Sequence, residues 1–272
     1  MKKIYFYFYN NFYYLYIKLI FVIRISKIYL DFNQRSSLIF QFFYNYLTII
    51  FRLNSKYKNL IEQFKSEINN LKFSRNWFTK NIPIWMHVFD KNKDIKINKI
   101  LEIGSYEGMS ALFLLKNFPN TKIDCVDIFE GSDEYKSDNF NNVENNLNFN
   151  LKSFVGRYNF FKMTSDNYFN KKINKNDLYD MIYIDGSHYA DQVYKDAINS
   201  FKILKINGMI IFDDFLRNKL DDIIVTDKMQ KFGYESEKKN VIGGILKFIK
   251  NYNNKIEILF VGYQVFLKKI SD

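Results

Sequence analysis

Three short apolar runs, each carrying a carboxylate at its carboxyl end, constrain this chain more than any other feature. They are Lys99-Ile100-Leu101-Glu102-Ile103-Gly104, Met181-Ile182-Tyr183-Ile184-Asp185-Gly186 and Met209-Ile210-Ile211-Phe212-Asp213-Asp214. Near-continuous apolar runs of this length suit strands buried on both faces, which belong to a parallel sheet covered by helices. In such a sheet ligands sit beyond the carboxyl ends of the strands, where these acids fall. Strands are expected near 99–103, 122–127, 158–163, 179–184 and 207–212, with a final pair at 255–260 and 262–268. Helices are expected near 56–72, 84–89, 108–117, 138–150, 189–204 and 241–252. Alternation of this kind predicts a doubly wound α/β fold.

The chain has 272 residues, enough for one α/β domain and an extension, and a formal net charge of +11. Lys, Asn, Ile, Phe and Tyr are heavily used, all with A/T-rich codons, so part of that charge reflects coding bias. The rest is concentrated at the start, where residues 1–53 hold seven Lys or Arg against one acid, Asp31. A nucleic-acid partner is therefore not expected. Cys125 is the single cysteine, which excludes an intrachain disulfide and a thiolate metal cluster.

Composition divides the chain into an aromatic, basic extension (1–54) and a domain (55–272). The first 53 residues contain eighteen Phe or Tyr. Between Tyr5 and Ile23 the only charge is Lys18, yet Asn10, Asn11 and six tyrosines disfavour a bilayer-spanning helix. No small-residue cleavage site follows. The segment reads as a helical extension or a contact between copies in a homo-oligomer, as a membrane-surface segment or anchor, or as a poorly ordered stretch or mis-started translation. A cytoplasmic protein is expected, with residues 1–53 as the part that would associate with a membrane.

Gly104 and Gly108 flank the turn from the first strand into a helix. Tyr106 stands where a dinucleotide site needs its middle glycine, so NAD and FAD are disfavoured. A cofactor without phosphates fits better, because Glu102 would repel phosphate and attract an ammonium group. Asp127 ends the second strand, placed to accept hydrogen bonds from ribose hydroxyls. Asp185, Asp213 and Asp214 end adjacent strands, and three clustered carboxylates call for a cation. Oxygen ligands suit Mg²⁺, Mn²⁺ or Ca²⁺. With two histidines and one cysteine far apart, a zinc site is not expected. His188 reads as a proton acceptor, as a cap on the following helix, or as a partner of the Asp213-Asp214 loop. His87, among Trp85, Met86 and Val88, reads as a packing residue.

The run Leu101-Glu102-Ile103-Gly104-Ser105-Tyr106-Glu107-Gly108-Met109-Ser110 resembles motif I of class I S-adenosylmethionine-dependent methyltransferases. More narrowly, the chain is similar to the branch called methyltransferase family 24. The upstream Asn81-Ile82-Pro83-Ile84-Trp85, Ile184-Asp185-Gly186-Ser187-His188, the Asp213-Asp214 pair and Gly262-Tyr263-Gln264-Val265 carry the likeness, which covers about 73–269. The resemblance implies a Rossmann-like seven-stranded sheet with an antiparallel last strand. It implies that Glu102 and Gly104 contact the methionyl end of S-adenosyl-L-methionine, Asp127 the ribose, and Ser165 or Asp166 the adenine, with Ser105 and Gly108 also in the cofactor site. The acids also resemble the metal site of catechol O-methyltransferase-like enzymes, where the positions are Asp, Asp and Asn. Asp214 replaces that Asn, and His188 falls where those enzymes carry a lysine base. The expected activity is metal-assisted O-methylation of a small hydroxylated or sugar-type acceptor, with Asp185 and His188 catalytic, Asp185, Asp213 and Asp214 on the metal, and Mg²⁺ the first candidate. The alternative is a non-catalytic, membrane-peripheral protein that keeps the fold. The acceptor pocket is expected from residues 56–90, the segment between Asp214 and Val241, and the N-terminus.

Overall fold

The structure is a computed structural model. It describes residues 2–130, 142–172, 178–217 and 240–272, with the side chains of 2–14, 50 and 51 left aside. Its centre is a seven-stranded sheet of order β3-β2-β1-β4-β5-β7-β6. The strands are β1 (Lys99–Ile103), β2 (Lys122–Asp127), β3 (Tyr158–Lys162), β4 (Tyr179–Ile184), β5 (Leu204–Phe212), β6 (Ile256–Val261) and β7 (Val265–Lys269). β1 to β5 pair in parallel, and β7 runs antiparallel between β5 and β6. Successive residues alternate between two apolar cores. Leu101, Ile182, Ile210 and Phe212 enter one, while Ile100, Met181, Met209 and Ile211 enter the other. This is the period-two consequence of a strand covered on both sides.

Helices cover both faces: α1 (Lys2–Tyr29), α2 (Phe32–Thr48), the short α3 (Asn54–Lys56), α4 (Lys58–Ile68), α5 (Ile82–Lys91), α6 (Met109–Asn117), α7 (Val143–Leu151), α8 (Ser165–Lys172), α9 (Ala190–Ile203) and α10 (Val241–Tyr252). Three expectations need adjustment. The helix placed at 56–72 ends at Ile68 and is broken at Tyr57. The helix placed at 138–150 begins at Val143, and residues 131–141 lie outside the described part. Sequence periodicity also missed α8, because Ser165–Lys172 is almost wholly polar and buries only Tyr168 and Phe169.

The N-terminal helices are built into the fold. Asp31 starts α2 with a reciprocal capping box, accepting from the Gln34 N–H at 2.9 Å while Gln34 Oε1 accepts from the Asp31 N–H at 3.3 Å. Leu15, Phe21, Val22, Ile25, Leu38 and Phe42 are buried in the same core as Ile210, Ile242 and Ile245. Lys18 is almost fully buried, and its ammonium donates to the Leu216 carbonyl at 2.5 Å. α1 thus braces the loop that follows β5. Among the described residues no helix is both long and apolar enough to cross a membrane.

The motif Asn81-Ile82-Pro83-Ile84-Trp85 opens α5, with proline in the first turn where its missing N–H costs nothing. Trp85 is fully buried, and its Nε1–H donates to Gln264 Oε1 at 2.7 Å. Two sequence-distant motifs are therefore one contact, which fixes α5 against β7.

Candidate active site

The strand order reverses direction between β1 and β4, and a crevice opens there beyond the strand ends. Asp185 continues the ladder, its N–H donating to the Ile103 carbonyl at 2.8 Å, and Asp213 repeats the pattern on Ile184 at 3.0 Å. The two acids are thus locked in register one strand apart. Gly104 turns the chain away from β1 with φ +86°, and a Cβ there would lie 2.1 Å from the Asp185 carbonyl oxygen. Only glycine permits that approach.

A cavity of about 650 Å³ fills the crevice. At one end stand Gly104, Asp127, Ser165 and Asp166; at the other stand Asp185, His188, Asp213 and Asp214. Eight of the residues expected at the site therefore share one cavity. Glu102, Ser105 and Gly108 do not line it. Glu102 is fully buried beneath the turn, hydrogen-bonded by Ser110, and burial pushes its carboxyl up to about 7. Ser105 is also buried. Gly108 adopts φ +80° at the start of α6, where a Cβ would press on Leu147 and Leu151 at 3.3 Å.

Asp127 accepts from the Tyr106 N–H through Oδ2 and from the Phe129 N–H through Oδ1, both at 2.8 Å. Burial raises its pKa despite those bonds. Among the described residues four non-glycines have positive φ, and three of them, Tyr106, Phe129 and Asp214, face this cavity. Backbone strain of that kind concentrates where side chains must be aimed.

The acidic end is electrostatically divided. Burial raises the Asp185 carboxyl well above the usual range, and the charges of Asp213 and Asp214 add to it. Asp213 is raised by burial and by Asp214; its oxygens accept from the Tyr183 hydroxyl at 2.6 Å and the Asp214 N–H at 2.7 Å. Burial would also raise Asp214, but contacts with His188, Tyr263 and Arg217 outweigh it and hold that carboxyl low. His188 does not cap α9, since no side chain caps that helix. Its Nε2 lies 3.0 Å from Asp214 Oδ2. Donor atoms of Asp185, His188 and Asp214 lie within 4.8 Å of one another, a mixed oxygen and nitrogen set. Zinc chemistry built on cysteine is excluded, since Cys125 is buried inside β2. His87 packs against Phe260 outside the cavity, and burial lowers it to about 4.

Residues 101–215 match the family model described as a methyltransferase domain. Over those residues the chain is similar to a methyltransferase domain. Its fold is that of class I, S-adenosylmethionine-dependent methyltransferases. The O-methyltransferase from Bacillus cereus, solved in complex with SAH, superposes with a TM-score of 0.51 at 14% identity, covering 85% of this chain and 100% of that one. The O-methyltransferase TomG from Streptomyces achromogenes, solved with SAM, gives a TM-score of 0.49 at 11% identity over 86% and 99% of the two chains. No curated protein matches by sequence.

Several residues of the cavity were not anticipated. Trp77 stacks on Tyr106 with ring centres 4.9 Å apart, and Lys80 lies over the Tyr263 ring at 4.3 Å. Tyr263 belonged to a recognised motif, but nothing in the sequence aimed it at Asp214, where its hydroxyl donates. On α9, Gln192 donates to Asp166 at 3.2 Å and to Asp196 at 2.9 Å, joining two acids beside Ser165. Burial raises Asp196 to about 6. Between Asp214 and Val241, where acceptor contacts were expected, residues 218–239 lie outside the described part.

Proposed function

We propose that this chain is an S-adenosylmethionine-dependent O-methyltransferase that acts on a small hydroxylated acceptor with a divalent cation at the acidic end. One observation carries this reading: a single cavity joins the Asp127 end to the Asp185–Asp214 cluster across the reversal of strand order. At the Asp127 end the turn offers a carboxylate for a sugar diol, while Tyr106 fills the space that a pyrophosphate would need. At the acidic end the donor set is right for a hard or borderline cation, and buried, mutually repelling carboxylates favour one.

S-adenosylmethionine supplies an electrophilic methyl group, and a divalent cation supplies an acidified, oriented acceptor hydroxyl. Asp185 and Asp214, with Asp213 behind them, would hold the cation. His188 Nε2 would take the hydroxyl proton as the methyl group passes from sulfur to the acceptor oxygen. Trp77 and Tyr106, in ring contact with each other, add an aromatic wall to the cavity.

Calorimetric titration of the full chain with S-adenosylhomocysteine tests the reading. One-site binding is expected, weakened at least about tenfold by Asp127→Ala, which removes charge-assisted hydrogen bonds worth ~1.5–3 kcal/mol. A folded protein that binds none would overturn it. The full chain is needed because α1 and α2 share the core of the sheet.

A second reading, membrane-peripheral contact, rests on one feature of α2. Phe32, Phe40 and Phe43 follow one helical face and are 72%, 71% and 42% exposed. Arg35 sits 5.6 Å from the Phe32 ring centre, and the surrounding segment is strongly basic. Such a stripe suits an anionic bilayer interface better than a second, equally basic copy. The full chain should float with vesicles containing phosphatidylglycerol and stay behind with pure phosphatidylcholine, and Phe32→Ser with Phe40→Ser should abolish flotation. Failure to float with either vesicle rejects the contact.

A further inference from the structure

The acidic end already holds a positive group of the chain's own. Arg217 Nη1 lies 2.7 Å from Asp214 Oδ2 and 2.8 Å from His188 Nε2. One cationic nitrogen thus sits against both Nε2 and Oδ2, which are themselves 3.0 Å apart. Asp185, whose donor atom completes the cluster, stands within 4.8 Å of both.

We propose that Arg217 is a built-in occupant of the cation position, so that a divalent ion binds only by displacing its guanidinium. A divalent ion on Asp185 and Asp214 would lie in contact with the guanidinium, and two cations at that separation repel strongly. The same side chain covers the lone pair with which His188 would take a proton. Displacement of Arg217 thus prepares two groups at once: it empties the cation position and bares the base. Three links hold the loop carrying Arg217 in place. Its N–H donates to the Asp214 carbonyl at 2.9 Å, the Phe215 N–H donates to the Tyr263 carbonyl at 2.9 Å, and Lys18 binds the Leu216 carbonyl. The backbone is anchored while the side chain, one-third exposed, has solvent to move into. This rests on the metal-assisted reading of the site.

The test is the affinity for Mn²⁺, read from the electron paramagnetic resonance signal of the free ion, with the full chain. Arg217→Gln removes the competing charge and should tighten Mn²⁺ binding at least about tenfold. Arg217→Lys keeps a charge without the planar fork and should fall between wild type and Arg217→Gln. Adding Asp214→Asn to Arg217→Gln should cancel the gain. Equal or weaker Mn²⁺ binding by Arg217→Gln overturns the proposal, as does absence of Mn²⁺ binding in every variant. Parallel titration with S-adenosylhomocysteine separates the two ideas: loss of that binding strikes the methyltransferase reading, whereas an unchanged Mn²⁺ affinity strikes the role of Arg217.

Discussion

Gly104→Ala should lower stability by roughly 2–5 kcal/mol, the sum of a left-handed backbone strain of ~1–2 kcal/mol and an overpacking cost of ~1–3 kcal/mol. For a chain of this size that is a fall in melting temperature of about 10 °C. The new methyl would meet the Asp185 carbonyl oxygen at 2.1 Å, its carbon at 2.5 Å and Gly186 Cα at 2.8 Å, all backbone atoms that cannot rotate away. Relief requires the ends of β1 and β4 to part, so binding of S-adenosylhomocysteine should be lost together with stability. Gly156→Ala is the control. It has nearly the same backbone angle, φ +84°, with nothing within 4 Å of the added methyl, and should cost only about 1 kcal/mol. Equal melting temperatures for the two variants would show that the glycine turn and the acid-bearing strand are not in contact as described.

Asp185→Asn should reduce turnover by at least about a thousandfold, once an acceptor is in hand, because cation-assisted activation and substrate placement are worth several kcal/mol. Affinity for S-adenosylhomocysteine should change little, since the Asp127 end of the cavity is separately held by that residue and its backbone partners. Without a divalent ion the same variant should melt no lower than wild type. The native carboxylate is buried beside Asp213 and Asp214, and neutralising it removes repulsion that the fold otherwise carries. Turnover within tenfold of wild type would end the metal-assisted mechanism. A pairing of lost activity with undiminished stability is the mark of a group placed for chemistry rather than for packing.

The sheet and its acids were legible because their signals are local. Apolar runs such as Ile182–Ile184 and Ile210–Phe212 name a doubly covered strand, and the carboxylate that ends each run needs no tertiary information to be placed at the strand's end. Glu102 shows the limit. It occupies the expected motif position, yet its side chain points beneath the turn toward Ser110 and Cys125 instead of into the cavity. Strand alternation around a turn does not reveal which face of that turn a ligand meets. Trp77, Lys80, Gln192 and Arg217 were illegible for a different reason: they reach the cavity from three separate elements, and only the assembled sheet brings those together. The N-terminal helices were obscured by their own composition. Aromatic residues on almost every side blur the helical period that would have marked Leu15, Val22 and Ile25 as core.

The burial of α1 against α10 has a consequence for synthesis. α1 and α2 are made well before the elements that cover them, because α1 packs on α10 and α2 beside β6. On a ribosome adding about 5–20 residues per second, α1 emerges roughly 10–50 s before α10 can cover it. During that interval Phe21, Val22, Ile25 and Phe42 have no core to enter. The nascent chain therefore carries an uncovered aromatic hairpin through most of its translation. Chaperone supply and translation speed, more than the strength of any finished contact, should govern how much folded protein a cell recovers.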